Sequence, residues 1–164
     1  VMLMLDSGLR RGEVVNLESK NIFMHNNTML VQGKGEKERL VPFGEETKRY
    51  INRYSHMRNE YEKRFFQKED GTPITDNTIK MYFQDLKEST GIIRLHPHLL
   101  RHTFATNYIL YGGDVEELRI LLGHTSLQMT MKYVHLATQQ RILNQRYHSH
   151  IDKLFCQYDN KLAQ

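Results

Sequence analysis

The chain has 164 residues, 39% hydrophobic and 26% charged, with a formal net charge of +4 and one cysteine. This length supports one domain with its own core, and the composition excludes a disordered or low-complexity class. No apolar run approaches the ~18 residues of a membrane span, and no basic region or small-residue cleavage site marks a signal peptide. The lone Cys156 excludes an internal disulfide and fits a cytoplasmic setting. The mild basicity is compatible with nucleic acid without demanding it.

The opening run Val1-Met2-Leu3-Met4-Leu5 reads as part of a buried helix, broken at Asp6-Ser7-Gly8. Apolar and uncapped, it is expected to be an internal cut with a further domain upstream. A short helix over 11–17 follows, with Val14, Val15 and Leu17 as apolar contacts. Over 21–43 the pattern turns to β. Segments 21–24 and 28–31 flank the turn formers His25-Asn26-Asn27, and 39–42 follows a second turn around Gly33-Lys34-Gly35. Three short antiparallel strands cannot stand alone, so helices must cover one face.

A helix starting at Gly44-Glu45-Glu46 is expected to run to about Gln67, with Tyr50, Ile51, Tyr54, Met57 and Tyr61 on one face. Segment 69–73 reads as a turn. Thr75 or Asp76 caps a helix over 77–89, striped by Ile79, Phe83 and Leu86 and stopped at Gly91. Pro97 opens a helix over 98–111, closed by Gly112-Gly113. Asp114, with Glu117 three residues on, caps the next, which Gly123 ends. Ser126 is expected to cap a short helix carrying Tyr133, and a separate helix to span 138–147. The tail places Ile151, Leu154, Phe155, Tyr158 and Leu162 at helical spacing, an amphipathic helix in search of a groove. The expected class is mainly α with a small three-stranded antiparallel sheet (α+β).

The chemistry concentrates between His96 and Tyr133. His98 and Arg101 lie one helical turn apart on one face, followed by Leu122-Gly123-His124 and Tyr133. Cleaving a phosphodiester requires a nucleophile, cations on the non-bridging oxygens and an acid for the leaving oxygen. Arginine suits the second task, because its planar fork matches phosphate and stays charged. Preorganised donors are worth roughly 10²–10³ in rate each. A phenol titrates near ~10, so Tyr133 needs cations or a base beside it. Three histidines, His96, His98 and His102, lack the Cys or carboxylate that would complete a metal site. Spacing alone does not bring these residues together.

Four blocks resemble the tyrosine recombinase (phage integrase) family, which includes the Xer-type resolvases and the integrases of phages and conjugative transposons. They are Ser7-Gly8-Leu9-Arg10-Arg11-Gly12-Glu13; Gly33-Lys34-Gly35-Glu36-Lys37-Glu38-Arg39-Leu40-Val41-Pro42; Pro97-His98-Leu99-Leu100-Arg101-His102-Thr103-Phe104-Ala105-Thr106; and Leu122-Gly123-His124 through Tyr133. The resemblance implies the family's catalytic-domain fold over 1–147, with 148–164 as a tail helix exchanged between protomers. On this resemblance the family's N-terminal core-binding domain is expected to be missing from this stretch of sequence. It further implies a site-specific DNA recombinase that works through a 3′-phosphotyrosine and a Holliday junction, as a tetramer on double-stranded DNA, without cofactor, metal or ATP. Arg10 and Arg101 would clamp the phosphate, and His124 would hydrogen-bond it. Lys34 would protonate the leaving 5′ oxygen. His98 would assist proton transfer, as a base toward Tyr133, and Tyr133 would be the nucleophile. Glu13 would orient the arginines. Arg11 carries no assigned role, and Asp6 adds a carboxylate expected near Arg10. A type IB topoisomerase and a non-catalytic DNA-binding module are the rival readings.

Overall fold

A computed structural model describes residues 1–33 and 37–144. Helix α1 (Met2–Ser7) buries Leu3, Met4 and Ser7 and ends at Gly8. Gly8 adopts φ +64°, and a Cβ there would stand 2.3 Å from the Phe104 ring. Only glycine fits both the left-handed backbone and this close approach. The turn it makes delivers Arg10 to the start of α2 (Arg11–Asn16), whose Val14 and Val15 are buried.

Strands β1 (Ile22–Phe23), β2 (Thr28–Gln32) and β3 (Glu38–Pro42) form an antiparallel sheet in the order β1-β2-β3. The β2–β3 register pairs Met29 with Val41 and Val31 with Arg39. Met29, Val31 and Val41 are buried. Alternation thus sends one face of the sheet into the core and leaves the other to solvent. The core over this half is apolar, with Leu9, Leu17, Phe43, Ile51, Phe65, Ile79, Phe83 and Leu100 joining the strand residues.

Helix α3 (Glu45–Ser55) stops far short of Gln67. Of the expected stripe, Ile51 is buried, but Tyr50, Met57 and Tyr61 are 55%, 71% and 88% exposed, so it is not a core face. The chain instead folds back to bury Phe65, which packs edge-on against Tyr54 at 5.3 Å. The Phe65 N–H donates to the Leu17 carbonyl (2.7 Å), and Arg58 Nε donates to the Phe65 carbonyl (3.1 Å). Arg58 also bonds the Glu62 and Arg64 carbonyls. Tertiary burial of Phe65 against Tyr54 outweighs helix propensity here.

Helix α4 (Asp76–Thr90) is capped by Thr75 and ends at Gly91, as its sequence predicts. Helices α5 (Pro97–Leu110), α6 (Val115–Leu122) and α7 (Gln128–Asn144) form the second half. Asp114 caps α6 by accepting from the Glu116 and Glu117 N–H groups, and Gly123 ends it at φ +61°. Helix α7 is continuous where two helices were expected. Nothing between Val134 and Ala137 breaks a helix, and fully buried Ala137 supplies the small side chain that close helix packing needs. Tyr133 and Ala137 share a second core with Ala105, Ile109, Leu118 and Leu122. The 148–164 tail and Cys156 lie outside the described residues.

Candidate active site

The turn after α1, the N-terminus of α2, the first turns of α5 and the α6–α7 junction meet at one place. Arg101, on α5, is buried. Its Nη1 donates to the Gly8 carbonyl and its Nη2 to the Leu122 carbonyl, both at 2.6 Å. One guanidinium therefore ties the first motif block to the last. Burial, followed by the nearby Arg10, brings its pKa down to about 10, so it remains charged at neutral pH.

Arg10 precedes α2 and is partly exposed. Its Nη1 donates to Glu13 Oε1 (2.9 Å) and its Nη2 to the Gly123 carbonyl (3.3 Å), while its backbone N–H donates to Glu13 Oε2 (2.7 Å). Glu13 also accepts both terminal nitrogens of Arg39, each at 2.9 Å. Burial alone would raise the Glu13 carboxyl, but Arg39 and then Arg10 outweigh it and hold the group below its ordinary value. Arg39 Nε reaches the Leu121 carbonyl (2.7 Å). Arg39 thus joins β3 to α2 and to the end of α6, and a Cβ on Gly123 would press on its guanidinium at 3.2 Å. Glu13 does hold Arg10, as expected. Asp6 does otherwise: its carboxylate accepts the Gly44 N–H (2.6 Å) at the start of α3. Arg11 pairs with Asp76 (2.8 Å) at the start of α4.

His124 follows Gly123 and is buried. Its Nε2 lies 3.4 Å from Arg101 Nη2 and its Nδ1 lies 2.9 Å from Thr130 Oγ1. The guanidinium can only donate, so Nε2 is the acceptor and Nδ1 carries the hydrogen. Burial, then Arg101 and Arg10, pushes His124 down to about 4, leaving it neutral at neutral pH.

Tyr133 projects from α7 into the second core and is 1% exposed. Its Oη lies 2.9 Å from His102 Nδ1. Its ring lies 12° from parallel with the His124 ring, and Lys132 Nζ stands 4.9 Å from its centroid. Burial raises the phenol pKa and Arg101 and Arg10 lower it, with burial prevailing. His98 is exposed near the start of α5, and Lys34 lies outside the described residues. The Gly33 N–H donates to the Lys37 carbonyl (2.8 Å), and both residues line the same cleft of about 700 Å³ as Arg10, Arg39, Arg119 and His124.

Four of the six residues singled out from sequence, Arg10, Arg101, His124 and Tyr133, therefore come together. Arg39, His102 and Thr130 were not singled out for this site. The available signals were helical spacing, since His102 follows His98 by four residues and Thr130 precedes Tyr133 by three.

A model of the phage integrase family matches residues 1–140. The chain belongs to the phage integrase family. Among its relatives is tyrosine recombinase XerC of Staphylococcus haemolyticus (strain JCSC1435), 36% identical over 143 residues, covering 84% of this chain and 48% of that protein. The chain spans about half the length of the relatives it matches. Among solved structures, XerA recombinase superimposes with a TM-score of 0.76 at 29% identity, over 89% of this chain and 57% of that one. The Tn1549 transposon integrase in complex with a circular intermediate DNA superimposes with a TM-score of 0.72 at 23% identity, over 80% and 52%. The second likeness attests the fold alone. The arrangement of helices around one small sheet is thus that of phage integrase catalytic domains. Among the described residues, no helix is long and apolar enough to cross a membrane.

Proposed function

We propose that this chain is the catalytic domain of a site-specific DNA recombinase or integrase, cleaving and rejoining strands through Tyr133. The observation that carries this reading is the pinning of Arg101 between the Gly8 and Leu122 carbonyls. That guanidinium stands beside Arg10 and His124 and has no carboxylate of its own among the described residues. A buried cation lacking an anionic partner is poised for an anion, and with the Arg10 fork beside it Arg101 suits the non-bridging oxygens of a phosphodiester.

Tyr133 Oη attacks phosphorus, and charge accumulating on the equatorial oxygens is held by Arg10 and Arg101. His124 hydrogen-bonds the same phosphate in its other tautomer, in which its one proton sits on Nε2 and Nδ1 accepts from the Thr130 hydroxyl. Lys34 protonates the departing 5′ oxygen, and His98 assists proton transfer at the exposed rim. The product is a 3′-phosphotyrosine and a free 5′ hydroxyl. The phosphotyrosine conserves the energy of the broken bond, so rejoining needs neither ATP nor metal. The Tn1549 integrase is bound to DNA, and duplex DNA is the proposed partner here. Four protomers exchanging strands through a Holliday junction, with the 148–164 tail passed to a neighbour, complete the proposal.

The test is a covalent trap. The chain is incubated with nicked duplexes drawn from the DNA flanking its own coding region, denatured in SDS and resolved by electrophoresis. A DNA-shifted band absent from Tyr133→Phe supports the reading. Specific DNA binding without any adduct would favour the non-catalytic module instead. Relaxation of plasmids with no sequence preference would favour the topoisomerase.

A further inference from the structure

Tyr133 poses a problem of proton disposal. The residue is 1% exposed, so water has almost no direct access to its phenol. Burial also keeps the phenol protonated at neutral pH. Attack on phosphorus requires that proton to leave as the new bond forms, and its exit must run through a neighbouring side chain. Among the described residues, the group bonded to Tyr133 Oη is His102 Nδ1, at 2.9 Å. The rings are 5.5 Å apart and tilted by 47°, which keeps the phenol oxygen near the imidazole edge. His102 itself is exposed on α5. It therefore has one nitrogen on the sealed phenol and a ring open to solvent, the arrangement a proton relay needs.

We infer that His102, rather than His98, is the base of the cleavage step: Nδ1 orients the Tyr133 phenol and accepts its proton as Oη bonds to phosphorus. This rests on the recombinase reading above. The P–Oη bond forms while the P–O5′ bond breaks. The electron pair leaves on O5′, which takes its proton from the acid assigned there. The phenolic proton resides on His102 and returns to Oη when the strand is rejoined. A base must lie about 2.6–3.2 Å from the atom it deprotonates, and His102 meets that requirement. Burial, then Lys132, His98, Arg101 and His96, lowers the His102 pKa, so its ring is neutral and able to accept at neutral pH. A phosphate arriving among these cations offsets their charge and favours the imidazolium as the proton moves.

Two arms test the inference. The first needs no DNA: ¹⁵N NMR of the imidazole nitrogens in the intact chain and in Tyr133→Phe. The expected result is a hydrogen-bonded His102 Nδ1 whose resonance shifts when the phenol oxygen is removed; an unmoved resonance overturns the contact. The second measures adduct formation on the nicked duplexes. His102→Ala should slow it by about 10²-fold at neutral pH with DNA affinity unchanged, and His98→Ala should slow it less. Replacing Tyr133 with the more acidic 3-fluorotyrosine should restore at least about tenfold to His102→Ala, a rescue that a packing role would not show. His102 is exposed, so its replacement leaves the core intact. If His102→Ala forms adduct as fast as the parent chain, or faster, the base assignment fails; a faster rate would make His102 a latch on the phenol. If the parent chain forms no adduct while the NMR contact is present, the recombinase reading fails instead.

Discussion

The two cores of this domain are built on different terms. Around the sheet, α1 to α4 bury a large apolar cluster that includes Leu9, Met29, Val41 and Phe83, with Ser7, Glu13 and Thr47 as the buried polar residues of those helices. Around α5, α6 and α7 the apolar cluster is smaller, and Arg101, His124, Thr130 and the Tyr133 hydroxyl lie in or against it. The first core supplies burial energy, at roughly 25 cal/mol per Å² of apolar surface. The second holds polar groups whose partners are backbone carbonyls and each other, at a cost in desolvation. The lesson is a division of labour: stability comes mainly from the sheet-side core, while the second core holds Arg101, His124 and Tyr133 and receives Arg10 from the start of α2.

That division can be broken by substitution. Arg101→Ala should reduce adduct formation by about 10³-fold or more. It also orphans two buried carbonyls, costing about 1–3 kcal/mol of stability, measurable by denaturant unfolding. Leu9→Ala should do the reverse. It should cost about 2–5 kcal/mol of stability, yet each folded molecule should form adduct at the parent rate. A large loss of rate in Leu9→Ala below its melting range would show that the two cores are not separable.

Arg39→Lys sharpens the comparison, since Arg39 bridges the halves through Glu13 and the Leu121 carbonyl. A lysine cannot reproduce the bidentate fork. Arg10 should be misplaced, and the adduct rate should fall by up to about 10²-fold with stability changed far less. The effect should appear in the rate constant more than in DNA affinity.

A smaller effect is expected with pH. His124 is depressed from 6.5 to about 4 in the folded protein. The unfolded chain therefore binds the extra proton first as pH falls. The His124 contribution to stability is full above pH 6.5 and is lost as pH falls toward 4. Between pH 7 and 4.5 the melting temperature of the parent chain should fall further than that of His124→Gln. Equal falls would mean that His124 titrates normally and is not held neutral by burial and the two arginines.

Local signals made much of this domain legible. Gly8, Gly91 and Gly123 mark helix ends because a left-handed cap favours glycine, and Thr75 and Asp114 mark starts because their side chains accept backbone N–H groups. Arg101, His124 and Tyr133 stand out within one short segment because guanidinium, imidazole and phenol are the groups phosphate chemistry uses, and Arg10 stands out through the resemblance of its block to the family's. What escaped was set by long-range contact. The Arg39–Glu13 pair spans 26 positions and the His102–Tyr133 bond spans 31, separations that no periodicity records. The end of α3 was misread for the same reason. Its helical pattern continues in sequence, and only burial of Phe65 against Tyr54 shows why the chain leaves it. The continuity of α7 was missed because Ser126 and Thr138 both resemble helix starts, while the packing of Ala137 is visible only in three dimensions.

The central claim is that Tyr133, among nine tyrosines, is the residue that joins DNA. The most direct measurement is to digest the trapped adduct with trypsin and nuclease and locate the residual nucleotide by mass spectrometry. The account predicts nucleotide mass on the tryptic peptide 133–141 and on no other. A nucleotide on a different tyrosine, or on a serine or lysine, would contradict it.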